Sequence, residues 1–207
     1  LGGIGKTTLA SALARECDVR RTFPDGIFWI EMGKQPELVA RMADIGVAFG
    51  DTNEDYPDRV RARQRLSAVL ADKRALIVLD DVWDHDHAQD FRVADARCRL
   101  LITTRQKGIV TRLDAQDSPL GMLNDAEGLA LIAERLSKPG QPVSAEDLPS
   151  VCTEIVHILG GHTLAVSLAA ALLDENGIDD APRLLKRLQE GKVFKALRLD
   201  EDDKNQN

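Results

Sequence analysis

The chain has 207 residues, 43% of them hydrophobic, 29% charged and 4% aromatic, which is the profile of an ordinary globular protein. Its net charge of −7 argues against a broad electrostatic footprint on nucleic acid or on an anionic membrane. Three widely spaced cysteines, Cys17, Cys98 and Cys152, suit a reducing compartment, and the most apolar run, 164–173, is too short to cross a bilayer, so a cytoplasmic chain is expected.

The chain opens on Leu1, inside a motif, and a fragment of a longer protein is expected. Leu1-Gly2-Gly3-Ile4-Gly5-Lys6-Thr7 is the pattern G-x-x-x-x-G-K-[ST] without its first glycine. The strand that feeds such a loop is missing as well. An Ala- and Leu-rich helix over 8–16 follows directly. After a turn at Pro24-Asp25-Gly26, the run Ile27-Phe28-Trp29-Ile30 reads as a buried strand, and Pro36 suits the first turn of a helix reaching Ala48. A polar loop over 50–58 leads to a helix over 59–72, and Ala75 to Leu79 is a continuous apolar strand. Leu100-Leu101-Ile102-Thr103 is another, a short strand is expected near Leu120, and Asn124 is placed to cap a helix over 125–136.

Ser137 to Pro142 is rich in Pro and Gly, and the domain boundary is expected there. Residues 1–137 then form an α/β domain, a P-loop parallel sheet with flanking helices and a missing first strand. Residues 143–199 form a small helical bundle with helices over 148–159, 164–175 and 181–189, the apolar middle one central. Residues 200–207 read as an acidic linker or the start of a further segment. The missing strand belongs between those ending near Thr103 and Leu120, and its loss predicts an aggregation-prone chain.

The chemistry begins at the loop. Gly2, Gly3, Ile4 and Gly5 let successive backbone N–H groups turn toward phosphate oxygens, and the helix that follows adds its positive end. Lys6 supplies a point charge for the β- and γ-phosphates, the Thr7 hydroxyl is placed to ligate Mg²⁺, and Thr8 completes the phosphate-facing turn. ATP or ADP with Mg²⁺ is therefore the expected ligand. The strand Ala75–Leu79 delivers Asp80 to hold the magnesium and Asp81 to polarise an attacking water. Thr103-Thr104-Arg105 ends the next strand and brings a hydroxyl and a fixed cation to the same edge, where Arg105 can sense a γ-phosphate.

Other features take blander readings. His85 and His87 with Asp84 and Asp86 read as a solvated loop rather than a metal cluster. Trp29 and Trp83 read as packing, and Arg59, Arg61, Arg63 and Arg65 as a solvated helix face. His162 either faces the nucleotide or lies on the surface at a helix start.

Four segments together resemble the NB-ARC domains of plant disease-resistance proteins, apoptotic protease-activating factors and bacterial STAND signalling ATPases. They are Gly2 to Ala10, the Phe28-Trp29 strand, Leu79-Asp80-Asp81-Val82-Trp83 and Leu101-Ile102-Thr103-Thr104-Arg105. Gly160-Gly161-His162-Thr163-Leu164-Ala165 resembles the family's glycine-x-proline motif, with Thr163 where proline is usual, and the resemblance implies that Thr163 and Leu164 lie on the adenine side. It also implies a switch, with ADP held between the two domains and exchanged for ATP to drive assembly. Self-association through the full-length protein, and winged-helix, repeat-sensor and effector domains outside this chain, are implied likewise. Three functions stay open: a slow switch ATPase, a nucleotide-holding scaffold with negligible turnover, and a P-loop metabolite kinase. The kinase is disfavoured by the lack of an arginine-rich lid segment.

Overall fold

Side-chain alternation along one strand organises the first half of the chain. In the computed structural model, which describes residues 2–92 and 97–191, β2 (Ala75–Val82) is the central strand of a parallel sheet ordered β1-β2-β3, with β1 at Gly26–Glu31 and β3 at Arg99–Thr104. Ala75, Ile77 and Leu79 point into the larger core and Leu76 and Val78 into a smaller one on the opposite face. Burial on both faces is why this strand reads as an unbroken apolar run. The larger core is built from α3 (Leu38–Ala48), α4 (Arg59–Leu70) and α5 (His85–Gln89), with Met42, Leu66 and Phe91 fully buried; α1 (Lys6–Arg15) contributes Ala10, α2 (Cys17–Thr22) Val19, and the residue after α2, Phe23, also joins the other. The short helix α6 (Lys107–Arg112) follows β3. This is the α/β parallel sheet with flanking helices that the sequence predicts, and Lys6–Pro119 forms one compact unit.

Several local readings are corrected. Pro36 precedes α3 rather than entering its first turn, because Glu37 is the capping residue. The strand expected near Leu120 is absent: residues 115–124 form no strand, Leu120 and Met122 are exposed, and the Leu123 N–H donates to the Gly161 carbonyl at 2.9 Å instead of to a sheet neighbour. Trp29 is 40% exposed rather than packed. Residues 84–89, read as a loop, contain α5, capped by the Asp84 carboxylate, which accepts from the Asp86 N–H. His85 holds the Asp86 carboxyl below its ordinary range by hydrogen bonding. Among the described residues no group of His, Cys, Asp or Glu assembles a metal cluster.

The four arginines of α4 are exposed, as a solvated face requires, but Arg59 and Arg65 also pair with acids from other segments. Arg59 Nε donates to the buried Asp90 carboxylate at 2.5 Å, and Arg65 grips both oxygens of Asp51, which also accepts from the Tyr56 hydroxyl at 2.8 Å. The Arg65 guanidinium holds the Asp51 carboxyl below its ordinary value of 3.8. A folded-state value lowered in this way stabilises fully above the unfolded value and loses its contribution as pH falls through the folded one. Urea denaturation from pH 6 to pH 2 should therefore show stability falling below about pH 4, and Asp51→Asn should flatten that fall.

A second compact unit holds residues 2–5 together with 120–191. Its helices are α7 (Asp125–Leu136), α8 (Ser150–Ile158), α9 (Thr163–Asn176) and α10 (Ala181–Gln189). α7 begins at Asn124 with a reciprocal capping box: the Asn124 side chain accepts from the Glu127 N–H and Glu127 accepts from the Asn124 N–H, both at 2.9 Å. Ile132 of α7 is buried with Ile155, Val156, Ala169 and Leu173 of α8 and α9. Packing thus groups α7 with the bundle, where it contacts both α8 and α9. The segment 137–142, read as a boundary, lies within this unit as a tied turn, Lys138 and Gln141 exchanging backbone hydrogen bonds and Ser137 Oγ accepting from the Val143 N–H. The acidic segment 200–207 lies outside the described residues. No helix among the described residues is long and apolar enough to cross a membrane.

Candidate functional site

At its carboxyl end β2 does not stop where its apolar run stops. Between Leu79, paired with Ile102, and Val82, paired with Thr104, β2 has one residue more than β3. This bulge is taken up at Asp81, which adopts a left-handed conformation with φ 55°. Such backbone in a non-glycine residue is uncommon and is held here by side chains. The Asp81 N–H donates to Thr103 Oγ1 at 2.9 Å in place of a ladder carbonyl, and Thr103 Oγ1 in turn donates to Asp80 Oδ1 at 2.6 Å. Asp80 is 6% exposed and also accepts from the Thr7 hydroxyl, which lies 2.9 and 3.0 Å from its two oxygens.

Thr7 and Asp80 thus present a hydroxyl and a carboxylate, the hard oxygen donors that suit magnesium. The set fits that ion, since magnesium commonly takes one or two protein oxygens and completes its shell with phosphate oxygens and water. Thr7 donates its single hydrogen toward Asp80, which leaves its lone pairs for a cation. Lys6 and Thr8 share the first turn of α1 with Thr7; Thr8 is exposed.

Asp81 is turned toward a different set. The Trp83 indole N–H donates to Oδ2 at 2.8 Å, and Arg105 Nε lies 3.5 Å from Oδ1 while its guanidinium stacks 5.7 Å from the Trp83 ring centre. Lys34 lies over the same ring at 5.0 Å. Gln106 anchors this corner: its side-chain amide donates to the Trp83 carbonyl at 3.0 Å and its N–H to Thr104 Oγ1. Asp81 and Arg105 are therefore brought together as an ion pair. Trp83, read as packing, is half-buried and makes a polar contact instead. Its spacing of two residues from Asp81 is the one sequence signal for that contact, and only the bulge makes it effective.

Residues 2–5 of the glycine loop belong to the unit that contains α9. Gly3 and Gly5 have φ +71° and +94°, and a Cβ on Gly3 would stand 2.9 Å from His162 Cε1 and 3.0 Å from Leu164 Cβ. Only glycine permits both that backbone and that approach. Three successive carbonyls of the loop are occupied: Gly2 by His162 Nε2 at 2.9 Å, Gly3 by the Leu164 N–H at 3.0 Å and Ile4 by the Thr163 hydroxyl at 3.3 Å. His162, weighed only as a nucleotide-facing or surface residue, is therefore part of the loop's support.

Comparison with known proteins agrees in direction with these elements. The NB-ARC domain pattern matches residues 1–137. Apoptotic protease-activating factor 1 of Danio rerio is 29% identical over 212 residues, and that of Homo sapiens 30% over 218, each alignment covering 96% of this chain and 16% of the relative. Disease resistance RPP8-like protein 3 of Arabidopsis thaliana is 29% identical over 180 residues, covering 84% of this chain and 20% of that protein. The chain thus spans about a sixth of the apoptotic relatives.

Proposed function

The chain belongs to the NB-ARC family, and from that premise we propose that it binds ADP and ATP with Mg²⁺ as the nucleotide switch of a larger cytoplasmic signalling ATPase. The observation that carries this reading is the Thr7, Asp80 and Thr103 hydrogen-bonded set at the end of a central parallel strand. Gly2, Gly3, Ile4 and Gly5 offer backbone N–H groups to phosphate, Lys6 and Thr8 follow at the start of α1, and Thr7 with Asp80 would hold the magnesium. The ion, when bound, neutralises phosphate charge and orients the oxygens. Asp81 polarises the attacking water, and Arg105 leaves Asp81 to meet the γ-phosphate. ADP is the resting ligand, and exchange for ATP drives self-association of the full-length protein, whose winged-helix, sensor and effector parts lie outside this chain.

A second reading, a nucleotide-holding scaffold without turnover, is favoured by one feature. Both oxygens of Asp81 are engaged, by Trp83 and by Arg105, which competes with their use on water. Single-turnover hydrolysis separates the two. For a switch ATPase, Asp81→Asn should slow hydrolysis by about 100-fold and leave ATP affinity within about twofold. Trp83→Phe, which frees one oxygen and loosens its aim, should change hydrolysis by roughly tenfold with the affinity again unmoved. Equal, minimal turnover in the wild type and both variants would establish the scaffold. Nucleotide released on denaturing the purified protein identifies the resting ligand, and stoichiometric ADP is expected.

A further inference from the structure

The start of α9 is hydrogen-bonded to the glycine loop through three consecutive residues. In a planar trans peptide the C=O of one residue and the N–H of the next point in opposite directions. Fixing the carbonyls of Gly2, Gly3 and Ile4 therefore fixes the N–H groups of Gly3, Ile4 and Gly5, and turns them away from residues 162–164. Among the described residues no backbone or side-chain acceptor pairs with those three N–H groups. Three successive unpaired donors in a turn with two positive-φ glycines form a concavity suited to an anion. Their orientation is set by one ring nitrogen, one hydroxyl and one backbone N–H from three consecutive residues.

We infer that His162, Thr163 and Leu164 are positioning residues for phosphate: they hold the loop's peptide planes in the phosphate-binding orientation before the ligand arrives. This rests on the nucleotide-binding reading and refines it. The resemblance implied an adenine-side role for Thr163 and Leu164, whereas their hydrogen bonds here go to Gly3 and Ile4. Thr163 stands where the related motif has proline, and a proline there would have no hydroxyl for the Ile4 carbonyl. His162 likewise supplies a polar contact that an aliphatic residue cannot. Preorganisation of this kind gives affinity by removing an ordering cost at the moment of binding.

The variants are chosen to fold. Thr163 is the first residue of α9, where the N–H has no intrahelical partner and proline is favoured, and His162, with φ −68° and ψ 113°, already has a conformation allowed before proline. Thr163→Pro therefore removes the hydroxyl with little cost to the helix. His162→Leu removes the ring donor and His162→Gln restores an N–H at similar reach. Wild type and variants of the whole chain are titrated with a fluorescent ADP analogue, which is displaced by Mg-ADP and, separately, by Mg-pyrophosphate. His162→Leu and Thr163→Pro should each weaken both competitors by about fivefold and the double variant by roughly twentyfold, at about one hydrogen bond each. His162→Gln should stay within about twofold of wild type. Matched losses for ADP and pyrophosphate support the inference, because pyrophosphate has no base. Loss for ADP alone would overturn it and return these residues to the adenine side. Unchanged affinity for both in the double variant would overturn it as well. A wild-type chain that binds neither ligand would overturn the nucleotide reading itself, a result distinct from either.

Discussion

Lys6→Ala is expected to lose ADP and ATP by roughly 100- to 1,000-fold in Kd while remaining folded. The magnitude follows from leaving phosphate charge without its cationic partner, about 3 to 4 kcal/mol. Folding should survive because Lys6 is the first residue of α1, no acidic residue shares its first turn, and a cation there opposes the helix dipole. Alanine also has the higher helix propensity. The apo variant should therefore still melt in a cooperative transition. Added Mg-ADP should raise the melting temperature of the wild type and leave the variant unmoved. Retention of the ligand-induced shift by Lys6→Ala would remove the loop from the phosphate site altogether.

What the amino-acid pattern reveals here is what depends on neighbours in sequence. β2 is legible because a strand buried on both faces must be apolar at every position, and α7 because Asn124 and Glu127 have the spacing of a capping box. The end of β2 is not legible. Asp80 and Asp81 look like a stop, yet the bulge lets pairing continue to Val82, and the side chains that hold it, Thr103 as acceptor and Trp83 as donor, act through space. α2 and α6 have six residues each, too few to show a period, and owe their existence to packing rather than to propensity. Arg59 and Arg65 look solvated along the helix because their partners, Asp90 and Asp51, lie in other segments. The grouping of α7 with the bundle is likewise a matter of which core receives Ile132, while the Pro- and Gly-rich turn after it is the more visible punctuation. At the site, the residue types at the loop and the strand ends were readable. The contacts of His162 and Trp83 were not, since each depends on backbone that only glycine or a bulge supplies.

Asp80→Asn should separate the magnesium requirement from folding. The carboxylate is buried, and substitution by an amide of equal shape can keep every hydrogen bond that surrounds it. Thr103 Oγ1 already accepts from the Asp81 N–H, so its own hydrogen must go to the oxygen at position 80. The carbonyl oxygen of the introduced amide would take that place. The amide nitrogen then faces Thr7 Oγ1, about where Oδ2 now lies at 3.0 Å, and the direction of that bond reverses with Thr7 as acceptor. The loss of charge assistance and the relief of a buried charge oppose each other, leaving apo stability within about 1 kcal/mol of wild type. The cation, by contrast, meets two N–H hydrogens where it would have met an anionic oxygen, and Thr7 has spent a lone pair. In the wild type, Mg²⁺ should tighten ATP binding by about 100-fold; in Asp80→Asn that increment should fall below about threefold, while affinity measured with excess EDTA is the same in both proteins. A variant whose ATP affinity still rises with magnesium as in the wild type would show that Asp80 holds the strand end together through Thr7 and Thr103 and has no part in holding the ion.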